Sequence, residues 1–180
     1  MTCIVGYMEN DKVIIGADSL GSNGHSKTIY VESKAFINGP MIIGYTTSFR
    51  MGQILEYHLV IPEQLSSQTD MAFMVMSFVP AVRHTLSTHG FTPASEKDAD
   101  AGVQFLVGYK GQLYEISSDF QVSKTVDPFA SVGSGYQFAL GSLASTQELD
   151  IPVSDKVRIA LEVAERYTTT VSGPFNYRTK

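Results

Sequence analysis

The chain of 180 residues has no tryptophan and one cysteine, Cys3. A lone thiol excludes an internal disulfide and any metal cluster built on cysteines, and it suits a reducing cytoplasm. Basic residues are in deficit: 13 against 18 acidic ones leave a net charge of -5, with no lysine–arginine block. Nucleic acid and anionic membrane surfaces are therefore poor partners. No apolar run is long enough to span a bilayer, and no basic segment precedes an apolar one at the start, so no secretory signal is expected. His25, His58, His84 and His89 lack ligand spacing such as HExxH, so neither metal nor cofactor is expected. Gly133-Ser134-Gly135 is not the five-residue GxSxG pattern of a serine hydrolase. No polar stretch is long enough for an interdomain linker, which predicts one domain over residues 1–180.

What is present begins at the front. A threonine, Thr2, directly follows Met1, and two apolar β-like segments (3–8 and 13–17) flank the turn residues Asn10 and Asp11. This pattern predicts a hairpin that returns Asp18 to the N-terminus. Strands are predicted over 28–37, interrupted by the polar Glu32-Ser33-Lys34, and over 41–46, so the opening quarter reads as one antiparallel sheet. Helical spacing follows over 48–60 and 69–88, the latter kinked or divided by Pro80. Its methionine-rich stripe reads as core. A polar loop over 92–101 leads to strands over 103–109, 112–117, 120–126 and 129–132, a second antiparallel set. Helices close the pattern over 136–145 and about 154–168, the second with Pro152 ahead and Ser154 as cap, and a last strand falls within 171–177. Strands, two helices, strands, two helices predicts an α+β fold, a four-layer αββα sandwich.

Removal of Met1, expected because Thr2 is small, places an α-amine and a hydroxyl on one residue. The amine has a pKa near 8 and accepts the hydroxyl proton directly or through water, the amino-terminal form of nucleophilic catalysis. A nearby cation and a carboxylate to hold it assist such a site. Lys34 and Asp18 are of those kinds, and pairing of the strands in order turns both toward Thr2. Cys3 reads as a small buried hydrophobe.

Thr2, the GADS segment 16–19, Lys34, the apolar strand ending at Gly44, the SVGSG segment 131–135 and the ALEVAERY helix 160–167 fall in the order and spacing of proteasome β-type subunits. The chain resembles most the bacterial HslV-type peptidase, the proteasome-like half of an ATP-dependent protease. The resemblance implies an N-terminal nucleophile hydrolase with Thr2 as nucleophile and its amine as base. Asp18 and Lys34 become the polarising pair, Ser134 orients the amine, and backbone N–H groups near Thr47 hold the oxyanion. It further implies a homo-oligomeric ring in the cytoplasm, a ring ATPase unfoldase as partner, and peptide or unfolded protein as substrate.

The sequence departs from that pattern at three places. Thr46-Thr47-Ser48 stands where the family carries glycines, Arg166 where it carries an aspartate, and Thr169 in place of a serine. These departures favour a weakly active or non-catalytic shell subunit as the alternative, with an amidase for small amides as a third reading.

Overall fold

The Asn10-Asp11 turn takes the form the sequence predicts. Both residues have positive φ, 51° and 59°, as a two-residue hairpin loop matched to strand twist requires. It joins β1 (Ile4–Glu9) to β2 (Lys12–Ala17) with Ile4 opposite Ala17, and Asp18 N–H bonds back to Cys3 O at 3.3 Å. The computed structural model describes residues 1–91 and 104–180; the loop expected over 92–101 and the first residue of the strand expected over 103–109 lie outside them.

The remaining strands are β3 (Leu20–Ser22), β4 (Lys27–Ile29), β5 (Ala35–Asn38), β6 (Met41–Tyr45), β7 (Phe105–Tyr109), β8 (Gln112–Ile116), β9 (Val122–Ser123), β10 (Phe129–Val132) and β11 (Asn176–Thr179). Among the described residues they form a sheet β10-β1-β2-β11, a sheet β5-β6-β7-β8-β9 and a β3-β4 ribbon. This corrects the grouping read from sequence order. The opening strands are shared between two sheets, and β10 leaves the second set to pair with β1, Val132 opposite Ile4. The strand expected over 28–37 is two, β4 and β5, because the backbone breaks at 30–34 to turn Lys34 inward.

Helices α1 (Phe49–His58), α2 (Asp70–Phe73) and α3 (Val79–Thr88) cover the five-stranded sheet, burying Met51, Ile54, Phe73, Val82 and Leu86 against it. A π-helical stretch, Met74–Phe78, separates α2 from α3. Pro80, early in α3, lacks an N–H and crowds the preceding turn, and the wider π turn absorbs it. Helices α4 (Tyr136–Thr146) and α5 (Val153–Tyr167) cover the other sheet through Leu143, Val157 and Leu161. Pro152 caps α5, and Ser154 lies inside it. Between the sheets, Ile4, Val13, Ile15, Ile42, Leu106 and Leu113 interdigitate. The sheets approach so closely that a Cβ on Gly44 would lie 2.5 Å from Ile4 Cγ2. The result is the four-layer αββα sandwich, an α+β fold. No described helix is long and apolar enough to cross a membrane.

Antiparallel pairing brings five chain segments to one end of the sandwich. They are the residues before β1, after β2, before β5, after β6 and after β10.

Candidate active site

Thr2, Asp18, Lys34, Thr47 and Ser134 all lie at that end, and the first three segments are tied by hydrogen bonds. Asp18 Oδ1 accepts from Lys34 Nζ at 2.9 Å and from Cys3 N at 3.0 Å, while Oδ2 accepts from Leu20 N at 3.1 Å. Lys34 Nζ also donates to Leu20 O at 2.7 Å and stands 5.5 Å from the Phe49 ring centre. Lys34 is 1 % exposed and Asp18 0 %. Burial lowers the Lys34 pKa, opposed by the Asp18 charge and hydrogen bond. A cation so placed favours loss of a proton from groups beside it.

The turn after β10 wraps the backbone of Thr2. Thr2 N donates to Ser134 Oγ at 3.0 Å, and Gly135 N donates to Thr2 O at 3.2 Å. Gly133 has φ of +94°, and a Cβ there would sit 2.4 Å from Thr2 O, so any other residue would displace the threonine. Ser134 Oγ donates to Thr170 Oγ1 at 2.8 Å and, more distantly, lies 3.3 Å from Thr2 O.

Thr2 itself is 2 % exposed, covered by Met1, whose carbonyl accepts from the Thr2 hydroxyl. The Met1 amine has a lowered pKa, first through burial and then through the Lys34 charge, against the pull of Asp18. An amide nitrogen at Thr2 is no base. Removal of Met1 uncovers the hydroxyl and turns that nitrogen into an amine already hydrogen-bonded to Ser134.

Thr47 has φ of +75°, and Ser48 N bonds Thr46 O at 2.9 Å across it. This is a γ-turn with positive φ, a strained geometry for a β-branched residue. Thr46 anchors it: its hydroxyl accepts from Gln104 N at 3.3 Å and lies 3.1 Å from Thr47 Oγ1. The glycine-poor turn thus takes, at Thr47, the positive φ that glycine favours. A cavity of about 230 Å³ opens beside it, lined by Thr2, Lys34, Thr47, Tyr30, Tyr45 and Phe49 among others.

Arg166 does not enter the site. It is exposed and lies over the Tyr167 ring, 5.6 Å from its centre. Thr169 is exposed as well, and Thr170, one residue on, is the hydroxyl that meets Ser134. Spacing after a helix end does not settle which of three consecutive threonines turns inward. Ser19, which sequence reasoning passed over within GADS, is 0 % exposed and donates to Pro174 O at 2.6 Å. Cys3 is buried against Ser131, 3.8 Å away, and burial pushes its thiol up to about 12, which makes it inert as a nucleophile. Among the described residues no group of three or more His, Cys, Asp or Glu is arranged to hold a metal.

No protein-family model matches the sequence, and no curated protein matches it. Solved structures do match the fold. BPH from Thiobacillus denitrificans superposes with a TM-score of 0.81 at 16 % identity, covering 99 % of this chain and 97 % of that one. BPH in complex with epoxomicin gives 0.80 at 17 %, with the same coverage. Eukaryotic HslV from Trypanosoma brucei gives 0.68 at 16 %, covering 98 % of both chains. A helical assembly of the Anbu complex from Pseudomonas aeruginosa gives 0.68 at 14 %, covering 99 % of this chain and 80 % of that one. At such identities the likeness establishes the fold alone, the αββα sandwich that these chains share.

Proposed function

We propose that this chain is a threonine-type endopeptidase of the self-compartmentalising, HslV- and proteasome-like kind, a single domain over residues 1–180 whose nucleophile is exposed by removal of Met1. The observation that carries the reading is the bond from Thr2 N to Ser134 Oγ at 3.0 Å, formed beside the buried Asp18–Lys34 pair. It positions the future base before the base exists, and it does so at the mouth of a cavity.

In the proposed reaction Thr2 Oγ1 attacks a peptide carbonyl carbon while its proton passes to the Thr2 α-amine. Backbone N–H groups at the Thr47 turn stabilise the oxyanion. The ammonium returns the proton to the leaving nitrogen, the C–N bond breaks, and an ester on Thr2 remains. Water then attacks the ester, the amine again taking the proton, and the carboxylic acid leaves as the threonine hydroxyl re-forms. Lys34 supplies the positive charge that favours both proton losses, and Asp18 holds it in place. The reading extends to a homo-oligomeric ring in the cytoplasm that encloses the sites, supplied with unfolded protein by an ATPase.

One observation favours the alternative of a non-catalytic shell subunit: with Met1 in place the Thr2 hydroxyl is tied to the Met1 carbonyl and shielded from solvent. The N-terminal mass of purified protein separates the two. The peptidase reading expects loss of Met1, hydrolysis of unstructured peptides, inhibition by epoxomicin, and abolition by Thr2→Ala. Retention of Met1, or hydrolysis unchanged in Thr2→Ala, would sink it. Light scattering on the same sample reports whether a ring forms.

A further inference from the structure

Glu165, near the end of α5, takes no part in the chemistry above. Its carboxylate oxygen Oε1 accepts from Ser172 Oγ at 3.0 Å and from Gly173 N at 2.8 Å. Both donors belong to the segment after α5, which touches the site twice. At the first contact Thr170 accepts the Ser134 hydroxyl proton at 2.8 Å. At the second, Ser172 O accepts from Ser19 N at 3.0 Å, directly beside Asp18. Between the two contacts Val171, 3 % exposed, seals the segment against Gly135.

We propose that Glu165 is a positioning residue for the nucleophile: by pinning the 170–174 segment it holds Thr170 as the acceptor of the Ser134 proton. The proposal rests on Thr2 being the nucleophile. A hydroxyl donates or accepts, and the difference matters here. With its proton committed to Thr170, Ser134 meets the Thr2 amine only as an acceptor, and the amine lone pair stays available to the Thr2 hydroxyl. Released from Thr170, the Ser134 proton is free to turn to Thr2 O, 3.3 Å away, or onto that lone pair, where it occupies the base. The charges felt at the chain start are Lys34 and Asp18. Arg166 is exposed, and Glu165 acts through the segment it holds.

The test uses the full chain with Met1 removed, as wild type, Glu165→Ala and Glu165→Gln. The glutamine amide oxygen still accepts both bonds, so Gln is the conservative rescue. Glu165→Ala is expected to lower kcat about ten- to hundredfold, the scale of a small misplacement of a reacting group, with KM nearly unchanged. Glu165→Gln is expected to retain most of the activity. A second readout needs no turnover: the pH dependence of acetylation of the Thr2 α-amine by acetic anhydride, followed by mass spectrometry of the N-terminal peptide. Donation into the lone pair stabilises the neutral amine, so Glu165→Ala shifts the labelling midpoint to lower pH and Glu165→Gln restores it. An unchanged midpoint in folded Glu165→Ala overturns the proposal, as does a failure of Gln to rescue. A wild type that hydrolyses nothing, while the midpoint shifts as described, defeats the peptidase reading alone. Thermal unfolding establishes that the variants fold; should Glu165→Ala not fold, Ser172→Ala removes one donor and carries a smaller shift of the same sign, and no shift there counts against the proposal.

Discussion

Lys34 Nζ stands 2.9 Å from Asp18 Oδ1 with side-chain exposures of 2 % and 0 %, an ion pair withdrawn from water. Desolvating two charges is costly, and further hydrogen bonds from Cys3 N and Leu20 N to Asp18 and from Lys34 to Leu20 O offset that cost. Lys34→Ala removes the cation and leaves Asp18 buried alone. The expected loss is about 3–5 kcal/mol of stability, read from urea denaturation, together with loss of peptide hydrolysis. A variant as stable as wild type would show that the pair is not held as described.

At Thr47 the expectation runs the other way. Positive φ strains a β-branched residue by roughly 1–3 kcal/mol, and glycine adopts that φ freely but gains about 0.4–1 kcal/mol of unfolded-state entropy. Thr47→Gly is therefore expected to raise stability by about 1 kcal/mol, despite losing the contact with Thr46 Oγ1. A clear loss in denaturant midpoint would show that the threonine side chain holds the turn.

Ser134→Ala deletes the acceptor of Thr2 N without touching the cavity wall. Steady-state kinetics should show kcat falling about 10- to 100-fold, up to the lower end of the roughly 10²–10⁴-fold that general-base catalysis contributes, at nearly constant KM. Thr170→Val removes the next hydroxyl in the chain and should lower kcat by a comparable factor. A change confined to KM would assign Ser134 to substrate binding instead.

Alkaline pH probes the packing of both sheets. Burial raises the Cys3 thiol to about 12 and the Tyr114 phenol also to about 12. A group whose folded pKa is raised contributes stability fully below its unfolded pKa and loses it as pH climbs toward the folded one. Stability is thus expected to decline from about pH 9 upward, with Cys3 accounting for at most about 4 kcal/mol. Lys34, with its pKa lowered by burial, works in the opposite direction between that lowered value and its unfolded one of 10.5. Denaturation curves at pH 8, 9.5 and 11 for wild type and Cys3→Ala isolate the thiol: in the variant the decline begins about one pH unit higher, where tyrosines ionise. Parallel curves for the two proteins would contradict this.

The hairpin was legible because its causes are local. Alternating apolar residues and an Asn10-Asp11 turn suffice to build it, and the geometry then carries Asp18 to Cys3 whatever the rest of the chain does. Partition of strands between sheets was not legible. The segments 41–46 and 129–132 carry the same local signal, yet β6 pairs with β7 and β10 with β1. Hydrogen-bond partners across long loops are chosen by which faces bury together, and no short window of sequence contains that choice.

The sequence by itself determined the chemical candidates: a threonine behind Met1, a carboxylate at the end of its hairpin, a lysine interrupting a strand, and a glycine-flanked serine. These follow from residue type and short-range spacing. Tertiary structure alone decided how they are wired. Lys34 is buried because the chain breaks before β5, Thr170 rather than Thr169 or Arg166 meets Ser134, and Thr47 takes a left-handed backbone without glycine. Each of these depends on contacts between segments far apart in the chain, formed where burial and hydrogen bonding outweigh local preference.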